Sequence, residues 1–77
     1  MDIREVFARN LRRYRQEKGL SQEALAHEAG VDRTYISALE RSVYSASITM
    51  VAKLATILGV EPAALLQRPS KSGRGKP

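Results

Sequence analysis

The 77-residue sequence has no cysteine and no tryptophan, one histidine, one phenylalanine and three prolines. Without cysteine there is no disulfide framework and no thiolate to hold a metal, and a cytoplasmic location is expected. No run of about 18 or more apolar residues occurs, so no membrane span is expected. The N-terminal segment is charged and amphipathic and lacks the apolar stretch of an export signal. His27 stands alone. A metal there would need Glu23 or Glu28 beside it, and one histidine among carboxylates is the pattern of a solvated helix face. Ser21, Ser37 and Ser47 have no nearby base to activate them. No glycine-rich phosphate loop is present, and four aromatic residues leave no stacking platform of the kind single-stranded RNA requires. An enzyme is not expected, nor is a cofactor, a metal or a small-molecule ligand.

What is present is unevenly placed. The formal charge is +5, yet Arg68, Lys71, Arg74 and Lys76 fall in the last ten positions with no acid among them. The first 67 residues hold nine basic and eight acidic side chains, so the body of the protein is close to neutral. Net charge is therefore a weak argument for nucleic-acid binding by the folded part. The expected organisation is a domain over 1–68 and a basic flexible tail over 69–77 that adds non-specific attraction to phosphate. A chain this short buries only about 60% of its unfolded surface and gains from self-association.

Five helical segments and no strand can be read. Asp2 is placed to cap the first, in which Ile3, Val6, Phe7, Leu11 and Tyr14 form one stripe and Gly19 marks the end. Ser21 caps a second helix, Gln22 to Ala29, with Leu25, Ala26 and Ala29 inward and Gly30 closing it. Asp32 caps a third, from Arg33 to about Arg41. After a loop from Ser42 to Ala46, Ser47 caps a fourth, in which Ile48, Val51, Leu54, Ala55 and Leu58 recur until Gly59. Pro62 opens a short fifth, with Ala63, Leu65 and Leu66. The expected fold is all-α, a compact cluster of five short helices. Asn10 lies near the apolar stripe of the first helix and reads as a satisfied buried amide.

The third helix carries the functional signal. On a wheel, Ile36 and Leu39 point inward, while Thr34, Ser37, Ala38 and Arg41 lie opposite and Arg33 stands at the leading end. Small residues allow close backbone approach, the hydroxyls hydrogen-bond, and Arg33 offers a fork suited to guanine O6 and N7. A solvated helix face has the same pattern. The preceding helix and its glycine turn favour the first reading, because helix, short turn and second helix is the arrangement that places a helix in the major groove.

The run LSQEALAHEAGVDRTYISALER, followed by SITMVAKLATILGV, resembles the XRE/Cro-type helix-turn-helix family. That family includes lambdoid phage repressors and restriction–modification controller proteins, and the run DRTYIS is particularly similar to the latter. The resemblance extends from about Phe7 to Leu66. It implies a lambda-repressor-like domain acting as a transcriptional regulator on double-stranded DNA. It implies base contacts from Arg33, Thr34, Ser37 and Ala38, and backbone contacts from Ser21, Gln22, Tyr35 and Arg41. In the loop after Arg41 the family often has glycine, then phosphate-binding residues. Here Ser42-Val43-Tyr44-Ser45 follows, so backbone amides, Tyr44 and Ser45 would serve. The resemblance also implies an ion pair between Arg15 and Glu40, each on the flank of an apolar stripe. The arginines at 4, 9, 12 and 13 read as an exposed face with Glu5 and Glu17 as partners, with Arg12 or Arg13 in reach of a phosphate.

With no separate assembly domain, a homodimer would use Val60, Ala63, Leu65 and Leu66, with Ile57 and Met50 as neighbours, and would bind a palindromic operator. Leu65 and Leu66 fit core and interface equally well. The alternative is an antitoxin-like module whose tail clamps a partner protein and whose DNA binding is autoregulatory.

Overall fold

Side chains at the helix ends set most boundaries. In the computed structural model, which describes residues 2–69, five helices follow one another: α1 (Ile3–Glu17), α2 (Gln22–Ala29), α3 (Arg33–Glu40), α4 (Ile48–Leu58) and α5 (Pro62–Leu65). The expected tail lies outside the described residues except for Pro69. Asp2 accepts from the Arg4 amide at 2.8 Å, Ser21 Oγ from Ala24 at 2.9 Å and Ser47 Oγ from Met50 at 3.0 Å. Each satisfies an N–H that the first helical turn leaves without a partner. Asp32 departs from expectation. Its backbone has the extended geometry of a cap, but its side chain caps no backbone amide. The carboxylate instead accepts from Thr34 Oγ1 at 2.9 Å.

The turn between α2 and α3 is set by Gly30, whose φ of +73° lies in the left-handed region that side chains with a Cβ resist. With that twist, Val31 N–H reaches back to Ala26 O at 3.0 Å, and the half-buried Val31 packs against the core behind it. The same backward bond closes α1, from Leu20 to Arg15 O, and α4, from Val60 to Ala55 O.

The core gathers Phe7 and Leu11 from α1, Leu25 from α2, Ile36 and Leu39 from α3, Leu54 and Leu58 from α4 and Leu65 from α5. Three apolar side chains sit where the sequence did not place them, the first being Ile3, which was read on the stripe of α1 and is 48% exposed. Ile48, counted on the inward stripe of α4, is 90% exposed, because it precedes the turn at which that helix meets the core. Leu65, named with the dimer interface, is 0% exposed within a single chain and so belongs to the core.

The burial of Leu65 depends on a polar clasp. Asn10 Nδ2 donates to Leu65 O and to Gln67 O, both at 2.9 Å, pinning the end of the chain's last helix onto α1. Lys53 Nζ makes a comparable tie from α4 to Ala29 O at 3.0 Å, a cation at the negative end of the α2 dipole. Removing the Asn10 amide leaves a buried carbonyl without its donor. Asn10→Ala should lower unfolding free energy by about 1–3 kcal/mol in urea titration. Amide exchange should accelerate most in α5, and an unchanged midpoint would show that the clasp contributes nothing.

Candidate nucleic-acid interface

Three side chains meet on one buried carboxylate. Glu40, at the end of α3, has a side chain only 1% exposed, and Arg15 of α1 is 11% exposed. Arg15 Nε donates to Glu40 Oε2 at 2.6 Å and Nη2 to Oε1 at 3.0 Å, the two-pronged geometry in which guanidinium and carboxylate fit best. A third prong, Nη1, reaches Leu20 O at 2.7 Å, which also holds the α1–α2 turn. Gln22 Nε2, from the first position of α2, donates to Glu40 Oε1 at 3.1 Å. Arg12 Nε comes within 3.8 Å of the same oxygen. Hydrogen bonding to Glu40 holds the Arg15 guanidinium above its ordinary pKa, against the burial that lowers it. The pair expected between Arg15 and Glu40 is thus the centre of a junction of α1, α2 and α3. Gln22 is a member that the sequence did not reveal, since 18 residues separate it from Glu40.

This junction fixes the direction of α3 and therefore what it shows to solvent. Arg33, Thr34 and Arg41 are exposed and Ser37 half-buried, forming a ridge along the helix. Neither the Arg33 nor the Arg41 guanidinium has a hydrogen-bond or ion-pair partner among the described residues. Thr34 has committed its hydroxyl proton to Asp32, so it presents lone pairs and a methyl group. Ala38, expected on the same ridge, is only 5% exposed. Val43 N–H closes α3 on Ala38 O at 2.9 Å, the same backward bond that ends α1, α2 and α4. Ala38 is therefore removed from the set of base-facing residues.

The residues placed around the ridge are also accounted for. Ser21 lies at the start of α2; its oxygen is taken by the Ala24 amide, and its own O–H remains to donate. Gln22 keeps its carbonyl oxygen and one N–H beyond the bond to Glu40. Tyr35 and Tyr44 pack ring to ring at 6.2 Å between centroids, tying α3 to the following loop. Tyr44 and Ser45 are exposed. Ser42, where the resembling family often has glycine, has φ +63°, a left-handed conformation that costs a residue with a Cβ about 1–2 kcal/mol. Among the described residues, no group of three histidine, cysteine, aspartate or glutamate side chains could hold a metal ion, and no helix is long and apolar enough to cross a membrane.

A turn set by glycine, joining two short helices, with the second held by a buried ion pair and carrying a polar ridge, is a helix-turn-helix. The helix-turn-helix family model matches residues 11–65. The chain belongs to this family. It is 44% identical over 70 residues to a hypothetical transcription factor of Neisseria meningitidis, an alignment covering 91% of this chain and 66% of the relative. The chain thus spans just under two thirds of that relative's length. A crystal structure of a hypothetical transcription factor from Neisseria superposes with a TM-score of 0.85 at 46% identity, covering 88% of this chain and 78% of the other. The restriction–modification controller protein C.AhdI of Aeromonas hydrophila gives a TM-score of 0.77 at 44% identity, covering 80% of this chain and 94% of its own. The transcriptional regulator SinR of Bacillus subtilis is 36% identical over 62 residues, covering 79% of this chain and 56% of SinR. A crystal structure of SinR in complex with DNA has a TM-score of 0.75 at 35% identity, covering 79% of this chain and 98% of that one. The XRE-type assignment made from sequence holds, as does the all-helical one among the described residues, and these relatives are named as transcription factors, controllers and regulators.

The helix-turn-helix depends on Glu40 for its geometry. A domain of this size has a total stability of roughly 4–12 kcal/mol. Glu40→Ala leaves Arg15 buried without its counter-charge and should cost about 3–5 kcal/mol, a large part of that total. Replacing both partners, Arg15→Met with Glu40→Met, leaves no stranded charge and should cost less than the single change. Thermal melts of the three proteins check this; a single variant as stable as the parent would remove the junction from the account.

Proposed function

We propose that the chain is a sequence-specific transcriptional regulator, acting in the cytoplasm, that binds a palindromic operator in duplex DNA as a homodimer. The observation that carries this reading is the ridge on α3, whose exposed Arg33 and Arg41 guanidinium groups have no partner among the described residues, held against the domain by the Glu40 junction. Arg33 reads guanine through its fork. Thr34, with its proton held by Asp32, accepts from adenine N6 or cytosine N4, or sets its methyl against thymine. Ser37 lies between them and the groove floor. Ser21, Gln22, Tyr35, Arg41, Tyr44 and Ser45 take the phosphates on either side, where they fix register without reading sequence. That SinR has been crystallised with DNA, and that C.AhdI is a controller protein, supports the same reading for a chain of this similarity.

The dimer is assigned to the outer face of α5 and the turn before it. Val60 is half-buried, Ala63 exposed and Leu66 42% exposed, so each retains surface to share. Leu65 has none and is left out. Two-fold symmetry then places two α3 ridges about one helical turn, roughly 34 Å, apart or a multiple of it.

Selection of bound duplexes from random sequence tests the whole reading. It should return a two-fold symmetric consensus, and equal affinity for that consensus and a scrambled duplex at moderate salt would sink the proposal. On the recovered operator, Arg33→Ala should cost about 1–3 kcal/mol and relax preference at one base pair of each half-site. Gln22→Ala should weaken all sequences through the lost phosphate contact and, since Gln22 also braces Glu40, loosen preference across the whole half-site instead of at one base pair.

A further inference from the structure

The arginines of this nearly neutral body are not spread evenly. A groove of about 700 Å³ runs between α1 and the segment that follows α5, open to solvent, with Arg41 and Ser42 at one rim. Arg9, Arg12, Arg13, Arg41 and Arg68 line it, against two carboxylates, Glu5 and Glu40. Glu40 is already neutralised by Arg15, so the lining is strongly positive. Such a cluster repels itself and gains most from an anion that several guanidinium groups share.

Two of these side chains have donors to spare. Arg12 is 55% exposed, and its one charged neighbour, Glu40 at 3.8 Å, takes its hydrogen bonds from Arg15 and Gln22. Arg41 has no partner among the described residues. Arg13 lies 3.6 Å from Glu17 in an exposed pair and rests its guanidinium over the Tyr14 ring at 4.6 Å. An exposed pair of this kind is worth little and exchanges readily for a stronger anion.

We propose that this groove is a second phosphate-binding surface, which takes the DNA backbone beyond the bases that α3 reads. The inference rests on the function proposed above. What selects DNA over other anions is continuity. Arg41 closes the recognition helix and also begins the groove, so a strand passing α3 meets Arg41, then Arg12 and Arg13. Guanidinium groups arrayed along an open groove match successive phosphates of a backbone. The operator footprint is then longer than the sequence read, and the contact strength of its flanks does not depend on their bases.

The operator recovered by selection is the probe, prepared once ending at its outermost specified base pair and once extended by about ten base pairs on each side. The parent protein should bind the extended duplex several-fold more tightly. Arg12→Gln with Arg13→Gln should abolish most of that gain, keep the same base preferences and make the slope of log K against log salt shallower by about 2. Arg41→Gln alone should move the slope by about 1. Arg4→Gln with Lys18→Gln removes equal charge outside the groove and should leave the flank gain in place. Far-ultraviolet circular dichroism and melting establish that each variant is folded; all five groove and control positions are exposed. A flank gain that survives in the groove variant, or a control pair that lowers it equally, overturns the proposal. Displacement of the groove contacts by a polyglutamate peptide with no change in DNA slope reassigns the surface to an acidic protein and overturns it too. A parent protein that distinguishes no duplex sequence at all instead removes the function on which the proposal stands.

Discussion

A carboxylate that cannot reach water has to be satisfied by the protein, and in this domain that single requirement organises three helices. Glu40 sits at the end of α3 with almost no exposed surface, and its oxygens are met by Arg15 from α1 and Gln22 from α2. Desolvating a carboxylate and a guanidinium costs several kcal/mol for each ion, and the attraction between them returns little net stability. What the pair gives is direction. Apolar contacts between Ile36, Leu39 and their neighbours tolerate small rotations of α3, whereas a two-pronged ion pair and an amide on the same carboxylate do not. A reading helix must present the same atoms each time, and angular restraint of this kind suits that need better than further burial would.

Much of this was legible in the sequence because the signals were local. Asp2, Ser21 and Ser47 stand before helices that they cap, and glycine stands where each of α1, α2 and α4 turns out of its axis. The ridge of Arg33, Thr34, Ser37 and Arg41 follows from helical spacing, as does most of the core. The errors share one cause. Helical spacing describes a helix alone and is blind to what returns to it. Ala38 lies on the outward side of α3 by angle, but in the folded domain it is only 5% exposed. Ile48 lies on the inward stripe of α4 by angle, but the core begins one turn later.

Helix α5 is too short for periodicity to speak at all, having four residues from Pro62 to Leu65. Its placement is decided by Asn10, 55 positions away from the carbonyl it holds. That bond accompanies a Leu65 turned inward to the core, while Ala63 and Leu66 stay exposed. The role of Gln22 was hidden for a similar reason, since its position at a helix start suggests a phosphate ligand and its partner lies in another helix.

The two roles of Gln22 are compatible, and their combination explains why one residue type suits the position. A side-chain amide has two N–H groups and an oxygen, so the N–H given to Glu40 leaves a second for a phosphate at the start of α2. A lysine could hold the phosphate through its charge, but it would add a third cation to a carboxylate already held by Arg15 and approached by Arg12. A leucine would pack but hold neither. With glutamine there, a phosphate docked at α2 and the carboxylate that orients α3 are joined through one rigid planar group. On the proposed function, backbone capture and base reading share a mechanical connection, because a strand seated at α2 would bear on the junction that orients α3. The cluster of arginines leading away from Arg41 lines the groove proposed to carry a strand onward from the helix.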